Sequence, residues 1–266
     1  MKKSEDIRSI LVIFGIFAVL LLVGGVIRMR WLSNHNAIFS ALEAHDNAKV
    51  IALLNSGVDP NSKHKINSGR KKNLGYAQDV YSFEHSNIRL YTTLLGDSCN
   101  YSNPELCQAL LEKGADPNLN DSSCIPPLFI AIMSVKRKST PDGIKIIKLL
   151  LQHHAKVDGD PTTNIRPISI ATASGMEDVT KLLIDYGADV NYQQHGGATA
   201  LYLAAANGHA GIVRILLNAG ADPTIPYSYN VLPIDVAIKH RHTAVAAILK
   251  DAMAKRKAVW AGGTKK

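Results

Sequence analysis

The sequence contains little cysteine, few aromatic residues and none of the common catalytic motifs. Its 266 residues include three cysteines, an odd number without a Cys-x-x-Cys pair, which excludes a disulfide scaffold and a thiolate zinc site. Phe, Trp and Tyr make up 6% of the chain, and no Gly-x-Ser-x-Gly, His-Glu-x-x-His or P-loop motif is present. Since 46% of the residues are hydrophobic and 20% are charged, the chain has enough apolar material for a core. We therefore expect a folded protein that is not an enzyme and binds no cofactor.

Ten histidines are present, but their spacing does not favour a metal site. Adjacent His153 and His154 cannot both face one ion on a helix. Neither this pair nor His240 and His242 has a carboxylate or thiolate at ligand spacing, so we expect no metal. The three cysteines are expected to pack as thiols, although export of the domain would allow a disulfide between two of them.

One long hydrophobic run is present, at residues 10–27, where eighteen residues carry no charge. As a helix the run would span about 27 Å, close to the thickness of a bilayer core. We therefore predict a transmembrane signal anchor that follows a short basic tail at 1–9. A buried core helix and a cleaved signal peptide are the alternatives, although the run lacks an Ala-x-Ala cleavage site and Arg28 follows it directly.

Basic residues lie on both sides of this run. Lys2, Lys3 and Arg8 precede it, and Arg28 and Arg30 follow it. Since acidic residues count for little in the positive-inside rule, the balance favours a cytoplasmic tail with the large domain exported. The opposite orientation stays open.

A short phrase of the form Gly-Ala-Asp-x-Asn occurs repeatedly after the run. Its copies, of which the third is degraded, begin at Gly57, Gly114, His154, Gly187 and Gly220. The starts lie 57, 40, 33 and 33 residues apart, so a period of 33 fits if insertions of about 24 and about 7 residues lengthen the first two intervals. Each phrase follows an apolar helical pattern, and a first helix precedes that pattern. The repeating unit is therefore predicted to be a helix pair.

The fifth unit carries the most detailed pattern. Residues 199–205 read TALYLAA, residues 208–209 read Gly-His and residues 220–222 read Gly-Ala-Asp. In this order and at this period, these submotifs resemble the ankyrin-repeat family, whose signature is TPLHxAA. The resemblance covers residues 34–252 and implies an all-α solenoid of about six helix pairs joined by short hairpin fingers. The histidine of the signature is replaced by Phe129, Ser169, Tyr202 and Asp235, so we expect a less regular stack than a consensus array.

Two insertions interrupt the predicted repeats, and a basic tail at 253–266, expected to be solvated, follows them. The first insertion, at about 62–90, lengthens a finger. We call five of its basic residues the basic loop: Lys63, Lys65, Arg70, Lys71 and Lys72. The second insertion, at about 134–143, joins the two helices of the third pair. A loop as long as the first is usually functional or disordered.

The resemblance implies a concave surface, lined by finger tips and first helices, that binds a protein partner. By register, we expect the partner to contact Tyr192, Gln193, His195, Tyr202, Asn207, Tyr227, Ser228, Tyr229, Lys239 and His240. The net charge of +8 favours an acidic partner, and no nucleic-acid motif accompanies it. We expect a monomeric scaffold, inhibitor or immunity-type binder tethered to a bacterial inner membrane. The repeats are predicted to be periplasmic, and the cytoplasmic side stays open.

Two other functions stay open. The basic loops could bind anionic lipid headgroups, which would make the chain a membrane-surface protein. An enzyme would need a site in the first insertion, where His64 and His85 are the supporting residues.

Overall fold

The computed structural model describes residues 33–34, 36–65, 91–121, 124–137, 140–159, 166–194 and 196–263. The predicted tail at 1–9, the predicted anchor at 10–27 and residues 66–90 of the first insertion lie outside these ranges. Among the described residues, no helix is both long enough and apolar enough to cross a membrane.

Six successive helix pairs form the described part of the chain. They are α1 (36–43) with α2 (Asn47–Asn55), α3 (Leu94–Asn100) with α4 (Pro104–Glu112), α5 (Pro127–Arg137) with α6 (Pro141–Gln152), α7 (Pro167–Ala173) with α8 (Glu177–Asp185), α9 (Ala200–Ala206) with α10 (Ala210–Asn218), and α11 (Pro233–Lys239) with α12 (Thr243–Gly263). This arrangement confirms the mostly helical solenoid that the repeats predict.

Local sequence signals fix where the helices begin and end. Hydroxyls of Thr93, Thr140 and Thr199 accept a hydrogen bond from the backbone N–H three residues on, which caps α3, α6 and α9. The second helices of the first five pairs are followed by a residue with positive φ, which is glycine in four of them, at positions 57, 114, 187 and 220. In the third pair this residue is His154, with φ at 66°, a conformation that costs a residue with a Cβ about 1–2 kcal/mol.

One continuous hydrophobic core runs through all six pairs, from Ile38 in α1 to Leu249 in α12. Within it, α6 buries Ile146 and Leu150 completely, and α10 does the same with Ile212. Burial of a side chain of this size contributes about 1.5–3 kcal/mol relative to exposure. Because each pair packs against its neighbours, the position of a finger is set by the pairs on either side of it.

The first insertion begins and ends in a two-stranded antiparallel ribbon, which adds a short sheet to the predicted all-α fold. Strand β1 (Lys63–Lys65) pairs with β2 (Tyr91–Thr93), with Lys63 opposite Thr93. The β-branched Thr92 and Thr93 favour this extended backbone, and both are buried. The ribbon brings the two ends of the insertion together directly before α3.

The second insertion is largely helical, whereas the sequence predicted a connection between two helices. Helix α5 continues to Arg137, and α6 begins at Pro141. Residues 134–137, read as the start of the insertion, therefore belong to α5, where Ser134 and Val135 are buried. Thr140 then caps α6 directly before its first residue.

Helix α12 extends well past its predicted end, so the basic tail begins as helix. The sequence predicted that the repeats end at residue 252 and that a solvated tail follows, but α12 runs to Gly263. No Gly-Ala-Asp phrase follows Leu249 to stop it, and residues 250–258 are alanine, lysine, arginine and methionine apart from Asp251.

An ion pair ties the extended part of α12 to the repeats. Arg256 Nη2 lies 2.6 Å from Asp222 Oδ2. Burial alone would raise the pKa of Asp222, but hydrogen bonds from Thr224 and the charge of Arg256 together lower it below its ordinary value.

Candidate functional site

Hydrogen bonds join the fingers of the fifth and sixth units at the predicted surface. We call residues 187–199, between α8 and α9, finger A, and residues 220–232, between α10 and α11, finger B. Asn191 joins them at the base, because its Oδ1 accepts from Asp222 N at 2.8 Å and its Nδ2 donates to Gly220 O at 3.2 Å. The bidentate bond fixes the spacing of the two fingers.

Further hydrogen bonds hold the outer part of finger B against finger A. Ser228 Oγ donates to Gly196 O at 2.6 Å, and Gln193 Nε2 donates to Pro226 O at 3.3 Å. Gly196 has φ at 92° and lies under the ring of Tyr227, where an added Cβ would come within 3.6 Å of the ring. The two fingers therefore form one rigid surface.

Aromatic rings stack where this surface meets the first helix α9. The rings of Tyr202 and Tyr227 have centroids 4.6 Å apart and an interplanar angle of 29°. Burial, and then the neighbouring Tyr227, raise the pKa of Tyr202, so the Tyr202 hydroxyl is neutral near pH 7. Such a pair contributes about 0.5–1.5 kcal/mol beyond its buried area. The stacked pair joins finger B to α9.

Tyr229 lies at the tip of finger B and is fully exposed, at 100% of its possible surface. Its backbone is left-handed, with φ at 60° and ψ at 33°, and Asn230 follows with φ at 60°. A hydrogen bond from Tyr227 N to Val231 O, at 2.8 Å, closes the turn around them. Because the ring is in full contact with water, it contributes nothing to packing. The backbone that carries it is strained, and strain of this kind is typical of functional positions.

Arg166 extends the surface towards the fourth unit, and the sequence analysis did not identify it. Its guanidinium carbon lies 4.0 Å from the centroid of the Tyr192 ring, and Nη1 donates to Asp158 O at 2.6 Å. Its Nε is buried without a hydrogen-bond partner. Arg166 stands directly before α7, at the position where α3, α6 and α9 have a capping threonine, and α7 has no side-chain cap. This missing threonine is the signal that could have identified Arg166 in the sequence.

The structure divides the predicted contact residues into two groups. Tyr192, Gln193, Tyr202, Tyr227, Ser228 and Tyr229 lie on fingers A and B or in the first turn of α9. Asn207, Lys239 and His240 lie at the opposite ends of the first helices, about 10 Å away along α9. His195 lies outside the described residues.

The second group is occupied by structural hydrogen bonds. Asn207 Nδ2 donates to Leu203 O at 2.8 Å, and His240 Nδ1 lies 3.0 Å from Ala206 O. His242 Nε2 lies 3.1 Å from the same carbonyl oxygen. The hydrogen bonds of Asn207 and His240 stabilise the end of α9, although both side chains are exposed, as is Lys239.

The basic loop falls mostly outside the described residues. Lys63 lies on β1 with an exposed side chain, and Lys65 ends the same strand. Arg70, Lys71 and Lys72 lie in the part of the insertion beyond β1, so the proposed lipid contact stays a prediction.

The three cysteines are free thiols, so no disulfide joins any two of them. Cys99 and Cys107 are buried on α3 and α4, and Cys124 is exposed. Burial, and then the neighbouring Cys107, raise the pKa of the Cys99 thiol, so it is neutral near pH 7. Within the part of the chain that the structure describes, no three His, Cys, Asp or Glu side chains come together to hold a metal ion.

A family model described as "Ankyrin repeats (3 copies)" matches residues 95–194, 128–227 and 168–257. The chain belongs to the ankyrin-repeat family. The matches cover the second to sixth helix pairs and confirm the resemblance that the repeated phrase indicates. Ankyrin repeats indicate a protein–protein interaction module, and fingers A and B lie on the ankyrin surface of fingers and first helices. No curated protein matches the chain.

Proposed function

We propose that this chain is a membrane-tethered ankyrin-repeat binder without catalytic activity, and that fingers A and B hold its protein partner. The observation that carries this proposal is Tyr229, a fully exposed ring on a left-handed backbone at the tip of a hydrogen-bonded finger. Tyrosine is enriched at binding hot spots because it supplies a large contact area with few rotatable bonds.

The rigidity of the surface supports the same proposal. The bonds from Asn191, Gln193 and Ser228 fix the fingers before any partner arrives, so little conformational entropy is lost on binding. Arg166, held over Tyr192, adds a cation beside the aromatic surface. An acidic partner would pair with it, in keeping with the net charge of +8.

The test is capture of partners by the tagged full-length chain, crosslinked in its own cells and identified by mass spectrometry. We compare the natural chain with Tyr229→Ala, which removes the exposed ring and no packing. The control is Tyr101→Ala, since Tyr101 is 43% exposed at the turn between α3 and α4. We expect one dominant protein whose recovery falls about tenfold with Tyr229→Ala, as for loss of an anchor worth about 1.4 kcal/mol.

Equal recovery with the two variants would show that finger B does not bind the partner. Recovery of anionic lipid with no specific protein would instead favour the membrane-surface function. The role of the complex as scaffold, inhibitor or immunity factor then follows from the partner.

The proposed tether is the uncharged run at 10–27. A membrane helix there would raise the local concentration of the repeats at one membrane face. We propose a bacterial inner-membrane location with the repeats in the periplasm.

Cys124 is a natural reporter of this location, because it is exposed while Cys99 and Cys107 are buried. We expect a maleimide that cannot cross the inner membrane to label intact cells, and Cys124→Ser to abolish the label. Labelling only after lysis would place the repeats in the cytoplasm.

A further inference from the structure

A groove with a volume of about 760 Å³ lies between α10 and α12, on the second helices of the last two units. It exists because α12 continues beyond the length of α10, so that residues 251–256 lie beside the first residues of finger B. Tyr202, Tyr227 and Tyr229 do not line it. The groove is therefore a separate surface from fingers A and B.

The floor of the groove is apolar and made of small or aliphatic side chains. Leu217 comes from α10, Ala221 and Pro223 from the start of finger B, and Ile248 and Ala252 from α12. Leu217, Ile248 and Ala252 are only partly buried, so apolar surface at the floor stays in contact with water. An aliphatic side chain placed there would gain about 25 cal/mol for each Å² removed from water.

The rim of the groove carries mostly positive charge. Arg214 lies on the α10 side, Lys255 and Arg256 lie on the α12 side, and Asp251 is the acidic residue of the lining. Arg256 is held by Asp222. In the described ranges, neither Arg214 nor Lys255 has a carboxylate within ion-pair distance, and both are exposed. Two cations on opposite sides of an apolar floor are thus available to a ligand.

We propose that this groove binds an acidic segment of a partner protein, with an aliphatic side chain on the floor and carboxylates on Arg214 and Lys255. A flat lipid surface would meet the rim cations but would not fill the floor. A nucleic-acid backbone has phosphates but no aliphatic group for Leu217 and Ile248. A peptide with leucine between glutamates supplies both chemistries at the spacing of one residue.

The test measures binding of a fluorescein-labelled peptide, Glu-Leu-Glu-Glu-Leu-Glu, to the purified full-length chain by fluorescence anisotropy. We expect Arg214→Glu/Lys255→Glu to weaken binding about tenfold or more, and replacement of the glutamates by glutamine to do the same. The matched control is Lys250→Glu/Lys257→Glu, which makes the same change of net charge on exposed α12 residues outside the groove. It should change affinity by about twofold at most.

Three outcomes would overturn the proposal. These are no binding at about 1 mM peptide, equal weakening by the control pair, and binding of the glutamine peptide as tightly as the glutamate peptide. Vesicles with phosphatidylserine form a separate arm, and loss of vesicle binding with Arg214→Glu/Lys255→Glu in the absence of peptide binding would assign the groove to lipid instead. Tyr229→Ala should leave peptide affinity unchanged, so a failure of this proposal is distinguishable from a failure at finger B.

Discussion

A ladder of asparagine side chains joins successive fingers, and one position breaks it. Asn61, Asn118 and Asn191 each accept a hydrogen bond from a backbone N–H of the next unit, at 2.7, 2.8 and 2.8 Å. Each also donates to a carbonyl of that unit, at 3.2, 3.1 and 3.2 Å. Asp158 occupies this place in the third unit, where its Oδ1 accepts from Asp189 N at 3.2 Å. A carboxylate has no N–H to donate, so this junction has one bond in place of two.

The expected effects of exchanging the two residue types follow from this count. Asp158→Asn restores a donor towards the fourth unit and should stabilise the fold by about 0.5–1 kcal/mol, the net value of one partly exposed hydrogen bond. Asn191→Asp removes the bond to Gly220 O and places a negative charge beside that carbonyl oxygen. It should destabilise the fold by about 1–2 kcal/mol. The two variants make opposite changes of charge and of hydrogen bonding.

The assay is urea unfolding of the full-length chain, followed by far-ultraviolet circular dichroism, with amide hydrogen exchange as the local measurement. In a thermal melt of a domain of this size, a change of about 1 kcal/mol in the free energy of unfolding would shift the melting temperature by about 2–4 °C. Exchange of the Asp222 amide should be faster in Asn191→Asp, and exchange of the Asp189 amide should be slower in Asp158→Asn. The reasoning is refuted if Asp158→Asn destabilises the chain or if Asn191→Asp leaves stability unchanged within about 0.3 kcal/mol.

The other predictions concern strained positions and the end of the stack. His154→Gly should stabilise the fold by about 0.5–1 kcal/mol in the same urea assay, because glycine relieves the left-handed strain at φ 66°. Gly208→Ala should lower the melting temperature by about 4 °C or more, since φ is 76° and the new Cβ would lie 2.6 Å from the ring of His242. The pKa of Asp222 is lowered in the folded chain, so its stabilising pair with Arg256 is complete above the unfolded value near pH 4 and is lost as the pH falls through the lower, folded value. The protection of the amides at 252–257 against hydrogen exchange, relative to their intrinsic rates, should fall on that acid side, and Arg256→Ala should remove this loss of protection.

The repeated phrase carries most of what can be predicted about the fold. Its five copies mark the ends of five of the six second helices, each by a residue with positive φ. The end of α12 could not be placed in this way, because no copy follows Leu249 and helix propensity then decides how far the helix runs. The β1–β2 ribbon was also missed, since its two strands lie 25 residues apart in the chain with no turn signal that pairs them.

The candidate site could be predicted as a set of positions but not as an arrangement. Register alone places Tyr202, Tyr227 and Tyr229 at the surface. It does not show that the first two stack and support the finger whose tip carries the third. Arg166 was missed because its role depends on a ring and a carbonyl from two different fingers. The absent capping threonine marks the position in the sequence but does not encode that contact.

The departures from the repeat pattern concentrate at one junction, between the third and fourth units. The ladder loses a bond at Asp158, a left-handed position is occupied by His154, and α7 begins at Arg166 without a side-chain cap. Since the stability of a repeat stack is close to a sum of unit and neighbour terms, we expect this junction to contribute less to stability than the junctions that an asparagine joins. Fingers A and B lie on the C-terminal side of this junction, where Asn191 makes both of its hydrogen bonds to the next unit. The proposed binding surface is therefore held by the fourth to sixth units, and the one buried side-chain nitrogen without a partner among the described residues, Arg166 Nε, lies at the edge of these units.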